Sequence, residues 1–125
     1  MAKIFLDANF YIDILQKRSD HDLERLQGNE LFISPLSIHI LIYVYKYTIP
    51  NQKLDVNKEL FNIVPFDQLI TENALIGPTN DFEDNMQLHS AAEVDCDVFL
   101  TQDKKLLDMK FFGKTKLASS FNFDI

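Results

Sequence analysis

The chain has 125 residues, 46% of them hydrophobic and 25% charged, with a formal net charge of −7. That length suits one domain over residues 1–125 with a real buried core, and the composition excludes collagen-like, disordered and disulfide-scaffold proteins. The acidic balance argues against holding nucleic acid by bulk attraction alone.

Taken in chain order, Ala2 to Leu6 is a short apolar run closed by Asp7, the pattern of a buried strand. From Phe10 onward, Tyr11, Ile14 and Leu15 follow helical spacing. Asp20 can cap a short helix carrying Leu23 and Leu26, with Gly28 as its stop. Leu31 to Ile33 reads as a second strand. Ser34-Pro35 opens a helix, with a hydroxyl at the cap and a proline where no N–H is needed. The run that follows is rich in Ile, Val and Tyr, as strands are. Its proline start, its length and the stripe Leu36, Ile40, Tyr43, Tyr47 nevertheless favour a helix, which Pro50 ends. Lys53 to Phe61 reads as another helix, and Asn62 to Val64 as a third strand. Gly77-Pro78 is a turn, after which Asn80 or Asp81 caps a helix through Met86, Leu88 and Ala91 to about Val94. Val98 to Leu100 is a fourth strand, Lys104 to Leu107 a short helix, and Lys116 to Ala118 a final edge strand.

This alternation predicts an α/β fold: a parallel sheet of four to five strands with helices on both faces. Ligands of such sheets bind beyond the carboxyl ends of the strands. No apolar run approaches the ~18 residues of a membrane span. Met1-Ala2-Lys3-Ile4 leads within a few residues to Asp7 and Asn9, unlike a signal peptide. The single cysteine, Cys96, suits a reducing, cytoplasmic setting.

Charge is unevenly spread. Between Lys58 and Lys104 there is no Lys or Arg, while the interval holds Glu59, Asp67, Glu72, Asp81, Glu83, Asp84, Glu93, Asp95, Asp97 and Asp103. Lys104, Lys105, Lys110, Lys114 and Lys116 follow, opposed only by Asp108. The bland account is a solvated acidic face beside a solvated basic one. The sharper account is a carboxylate cluster for a metal, flanked by a phosphate-facing basic patch. Asp7 and Asp103 each follow a strand and Asp84 lies in the first turn of a helix, so three distant carboxylates can converge at the strand-end face. Carboxylates that close repel, and one tends to take up a proton. A divalent cation between them removes the conflict, and Mg²⁺ or Mn²⁺ prefers such oxygens. A metal so held activates water and steadies charge on a phosphate. Spacing alone is a weak signal, because Asp also caps helices and turns.

Four segments, in order, resemble the PIN-domain nucleases. Ile4-Phe5-Leu6-Asp7-Ala8-Asn9 is similar to their opening strand and Asp-x-Asn, and Ser34-Pro35-Leu36-Ser37 to the start of their central helix. Asp81-Phe82-Glu83-Asp84-Asn85-Met86-Gln87 resembles their Asp-Phe-Glu-Asp-x-x-Gln helix start, and Asp97-Val98-Phe99-Leu100-Thr101-Gln102-Asp103 their strand ending in Thr-x-Asp. The resemblance implies a three-layer α/β/α sandwich and a Mg²⁺- or Mn²⁺-dependent endoribonuclease that hydrolyses RNA phosphodiester bonds. Many small bacterial members of this VapC-like kind are toxins of toxin–antitoxin pairs, often dimeric. The implied partners are therefore RNA, an antitoxin protein and a second copy of the chain. Carried over residue by residue, Asp7, Asp84 and Asp103 would bind metal and carry catalysis. Asn9 would order the loop around Asp7, Thr101 would steady Asp103, and Asp81 would add a water-mediated contact. Lys104, Lys105 and Lys110 would hold the RNA backbone.

The chain departs from the family in two places. A Glu usual three residues after the position of Ser37 is Ile40 here, and an acid frequent two residues after the position of Asp103 is Lys105. An aliphatic side chain neither ligates metal nor accepts a proton, so weaker metal binding follows. His39, Asp81 and Glu83 are the nearest stand-ins.

Of the remaining candidates, His21, His39 and His89 lack metal-ligand spacing and read as surface or core residues. Cys96 lies between Asp95 and Asp97, whose charges disfavour a thiolate. Phe111-Phe112 beside lysines suits base stacking, with packing as the default, and Tyr43, Tyr45 and Tyr47 divide between core and a dimer face. Three glycines in the whole chain leave no nucleotide-cradling loop. Two other functions compete with the nuclease. One keeps the fold as a binding or regulatory module whose acidic pocket meets a basic peptide, such as an antitoxin arm. The other is aspartate-based phosphotransfer: a receiver would need paired acids after the first strand, and a phosphatase would need Asp at the position of Asn9.

Overall fold

The computed structural model describes residues 1–16 and 23–121. Asp20 and His21 lie outside the described residues. In chain order the elements are β1 (Lys3–Leu6), α1 (Ala8–Gln16), α2 (Leu23–Leu26), β2 (Glu30–Ile33), α3 (Pro35–Tyr45) and α4 (Gln52–Leu60). They continue with β3 (Asn62–Ile63), α5 (Gln68–Ile76), α6 (Phe82–Glu93), β4 (Val98–Leu100), α7 (Lys104–Met109), β5 (Phe111–Phe112) and β6 (Thr115–Ala118).

The strands form one sheet in the order β3-β2-β1-β4-β6-β5, parallel throughout except for β5, which runs antiparallel to β6. Central strands of a parallel sheet are covered on both faces and so read as unbroken apolar runs. Ile4-Phe5-Leu6, Leu31-Phe32-Ile33 and Val98-Phe99-Leu100 are such runs, and all nine residues are buried. The pleat divides them between two cores. Ile4, Leu6, Leu31, Ile33, Val98 and Leu100 pack with Phe10, Tyr11 and Ile14 of α1 and Leu41 of α3. Phe5, Phe32, Phe99 and Leu117 pack with Ile70 and Ala74 of α5, Met86, Leu88 and Ala91 of α6, and Leu106 of α7. Phe5 and Phe99, paired in register, stack with centroids 5.3 Å apart. The result is an α/β sandwich with helices on both faces of a mostly parallel sheet. No helix among the described residues is long and apolar enough to cross a membrane.

Among the described residues the sheet has six strands rather than four to five. Lys116–Ala118 lies inside it and not at the edge, because the chain turns at Gly113 (φ +61) and lays Phe111-Phe112 outside β6. Helix α3 ends where Lys46 adopts a left-handed conformation (φ 55, ψ 41) and donates its N–H to the Ile42 carbonyl, not at Pro50. Its inward face is also turned from the expected stripe: Ser37 and Leu41 are buried, whereas Tyr43 is 77% exposed. Ser34 stands at the cap without a side-chain cap bond. Asp81, not Asn80, caps α6, its carboxylate accepting from Asp84 N–H at 2.9 Å. Helix α5 falls in a stretch where the sequence pattern predicts no element. It is capped by the Asp67 carboxylate, which accepts from Ile70 N–H, and it ends at Gly77.

Candidate functional site

The acidic centre begins where adjacent strands end. Leu6 pairs with Leu100, so Asp7 and Thr101 leave β1 and β4 side by side, and Asp7 N–H still donates to the Leu100 carbonyl at 3.0 Å. Asp7 is buried, with 6% of its surface exposed. One carboxylate oxygen accepts from Phe10 N–H at 2.7 Å, which caps α1. The other accepts from the Thr101 hydroxyl. That hydroxyl in turn accepts from Asp103 N–H at 3.0 Å, so Thr101 ties the two loops together. The Asp103 carboxylate caps α7 by accepting from Lys105 N–H at 2.8 Å. Ser34 follows β2 along the same edge, and its hydroxyl and that of Ser37 are buried without hydrogen-bond partners among the described residues.

Asp84 arrives from the other side on α6, behind a loop held by one side chain. Asn85 is 3% exposed. Its amide nitrogen donates to the carbonyls of Ala74 and Thr79, both at 2.9 Å. Its amide oxygen accepts from Thr79 N–H at 2.9 Å and from the Thr79 hydroxyl at 2.6 Å. The Thr79 hydroxyl also accepts from Asp81 N–H at 3.0 Å. The end of α5, the 77–81 loop and the cap of α6 are thereby one hydrogen-bonded unit. His89 adds to it, with a ring nitrogen 2.9 Å from the Gly77 carbonyl and its ring edge-on to Phe112.

Electrostatics link the two sides. Burial pushes the Asp7 carboxyl up to about 6; the Thr101 and Phe10 hydrogen bonds oppose this, while the like charges of Asp103 and Asp13 add to it. Asp84 is also pushed up to about 6, by burial first and then by repulsion from Asp81, Asp103, Asp7 and Glu83. The carboxylates of three distant segments thus sense one another. Asp81, Asp84 and Asp103 line an open cleft of about 630 Å³ together with Lys105, the 78–80 loop, Leu106 and Met109. Asp7 is not among the lining residues. Oxygen donors that carry an unrelieved repulsion are chemically suited to a hard divalent cation. Among the described residues, however, no three His, Cys, Asp or Glu side chains gather closely enough to hold one.

The other residues singled out by sequence fall as follows. Asn9 is exposed in the first turn of α1, and the hydrogen bonds on the Asp7 carboxylate come from Phe10 and Thr101. Lys104 and Lys110 are exposed at the two ends of α7, and Lys105 faces the cleft wall. Lys114 pairs with Asp95 at 3.2 Å on the surface. Ile40 is half-buried and packs against the core containing Leu6 and Phe10. His39 is exposed and stacks near Tyr43, while Phe111 is 57% exposed and Phe112 packs inward. Cys96 is fully buried, and burial more than the neighbouring aspartates pushes its thiol up to about 12. Sequence reasoning missed Asp13, Thr79 and the role of Asn85. Only Asn85 carried a signal, as a buried-helix position occupied by an amide.

A family model described as PIN domain matches residues 4–112. Seven chains of solved structures match. One belongs to the crystal structure of VapBC2 from Rickettsia felis bound to a DNA fragment from their promoter. It is 20% identical with a TM-score of 0.67, and the match covers 98% of this chain and 99% of that one. At that identity the likeness speaks for the fold. The comparison with curated proteins finds no match.

Proposed function

The chain belongs to the PIN domain family, and on that premise we propose that it is a Mg²⁺- or Mn²⁺-dependent endoribonuclease. The observation that carries the proposal is the placement of the three aspartates: Thr101 ties Asp7 to Asp103 at the carboxyl edge of the sheet, and Asp103 lines one cleft with Asp84. Asp84 and Asp103 would hold the cation from the cleft wall, with Asp7 behind them. When bound, the cation supplies an activated water and neutralises charge on the phosphate. The chain's own groups do the positioning. Thr101 holds Asp7 and the Asp103 backbone in one arrangement, and the Asp81 cap fixes the first turn of α6 beneath Asp84. Lys104, Lys105 and Lys110 supply positive charge beside the cleft for the RNA backbone. In line with the family resemblance, we propose an antitoxin protein and a second copy of the chain as partners, the chain acting as the toxin. The test is cleavage of a structured RNA by the purified chain with Mn²⁺. Loss of cutting in both Asp84→Asn and Asp103→Asn, at unchanged folding, supports the proposal. Equal cutting by both variants refutes it.

Two observations favour a second reading. Ile40, at the position where the resemblance expects an acid, packs against the core, and no three-ligand group forms among the described residues. On that reading the chain is a catalytically degenerate binding module whose acidic cleft takes a basic segment of a partner. Tight binding of a lysine-rich peptide, with no cleavage of any RNA under Mn²⁺, would favour it.

A further inference from the structure

Of the buried polar side chains, those of Asp7, Asn57, Asn85, Ser90, Thr101 and Thr115 are hydrogen-bonded. Ser34, Ser37 and Gln87 break the pattern. Each is at most 4% exposed, and among the described residues neither serine hydroxyl nor the Gln87 amide oxygen meets a partner. Unpaired groups in the interior cost stability, so native chains almost always satisfy them.

All three belong to the carboxyl ends of β1 and β2. Ser34 and Asp7 stand two residues beyond the paired Phe32 and Phe5, so they leave adjacent strands on the same face of the sheet. Ser37 follows in the first turn of α3, its N–H donating to the Ser34 carbonyl at 3.1 Å. Gln87 comes from α6, whose Met86 and Leu88 pack with Phe5 and Phe32. It lies one turn past Asp84, on the same side of the helix. A serine hydroxyl can donate directly to an amide oxygen. These do not, so more than one hydrogen-bond length separates them. Water suits two hydroxyls and a carbonyl oxygen across such a gap, and an internal water typically serves about three otherwise unpaired groups.

We propose that Ser34, Ser37 and Gln87 hold one internal water, and that Gln87 is through it a positioning residue, setting the helix that carries Asp84 against the strand end that carries Asp7. This site is separate from the acidic cleft, which none of the three residues lines. Asn85 fixes one side of α6 to the 77–81 loop by direct bonds, and the water fixes the opposite side to β2 and α3. It does so whether or not the chain cuts RNA.

The test is oxygen-17 relaxation dispersion of the full chain, which counts long-lived internal waters and does not see hydroxyl protons. The wild type is expected to hold a water that Gln87→Met, similar in size but without the acceptor, and Ser34→Ala each remove. Gln68→Met, on an exposed residue of α5, keeps it. Ser34→Ala, a change on the β2 side, also shifts the Asp84 amide resonance on α6; an unmoved resonance overturns the positioning role. Urea unfolding gives a second readout. Gln87→Met and Ser34→Ala each raise the unfolding constant by about tenfold, as loss of a buried hydrogen bond requires. Together they raise it by far less than about a hundredfold, because one water serves both. Gln87→Met combined with Thr115→Val, whose hydroxyl bonds the Cys96 carbonyl, multiplies in full. Equal water counts in the wild type and both variants overturn the site, as does full multiplication for the Ser34 and Gln87 pair. Where a variant fails to fold, a crystal structure of the wild type decides. Density for one water within hydrogen-bond reach of all three side chains supports the site, and direct pairing of Gln87 with either serine overturns it.

Discussion

Replacing Asp7 by asparagine stabilises the metal-free protein at neutral pH and does little in acid. The Asp7 carboxyl rises from 3.8 to about 6 because it is buried. Each unit is worth about 1.36 kcal/mol, so keeping this charge in place at neutral pH costs about 3 kcal/mol. The folded state binds the Asp7 proton more tightly than the unfolded state does. Its contribution is therefore most favourable below about pH 4, falls as pH rises from about 4 to about 6, and is level above that. Asparagine is neutral at all these pH values. Its oxygen can keep the bond from Phe10 N–H, but its amide nitrogen faces the Thr101 hydroxyl, which must turn to accept. That rearrangement offsets about 1 kcal/mol. The net expectation is about 2 kcal/mol of added stability at neutral pH and none, or a small loss, below about pH 4. Urea denaturation with a chelator present, repeated across that pH range, measures it. A variant that is less stable at neutral pH, or whose effect is the same in acid, would refute the reasoning.

Three further outcomes follow from the same contacts. Thr101→Val removes the hydroxyl that serves both Asp7 and the Asp103 backbone; it costs about 2 kcal/mol and drives the Asp7 titration higher, seen by carboxyl NMR. Asn85→Ala removes four hydrogen bonds at one buried point, for about 3 kcal/mol. Hydrogen exchange would then show the 77–81 amides opening before the central strands. Cys96, buried and with its thiol pushed up to about 12, reacts with thiol reagents only through the opened chain, so at low reagent concentration its labelling rate rises in urea with the unfolded population.

The central strands were legible because burial on both faces leaves a plain mark: three apolar residues, then a polar one at the sheet's edge. Helix α5 left no such mark. Its buried Ile70 and Ala74 are interleaved with exposed Leu69, Leu75 and Ile76, which erases the periodicity. Strand β5 is two residues long, and its pairing with β6 depends on a turn that no local rule demands. The stop of α3 was misplaced because a lysine, not a glycine, takes the left-handed conformation. At the site, the strand-end rule and the family resemblance together pointed to Asp7, Asp84 and Asp103. What escaped was the scaffolding behind them. Asn85 bonds to residues six and eleven positions earlier, and such partners exist only once α5 has packed beside α6.

The proposed activity requires that these aspartates share one divalent cation. The most direct measurement is thermal stability against Mn²⁺ and Mg²⁺ for the wild type, Asp103→Asn and Ile40→Glu. A cation at about 100 times its dissociation constant adds about 2.7 kcal/mol, several degrees for a domain of this size. The account predicts a saturating rise in the wild type that Asp103→Asn abolishes and Ile40→Glu strengthens. A wild type and an Ile40→Glu variant that both ignore the metal would contradict it.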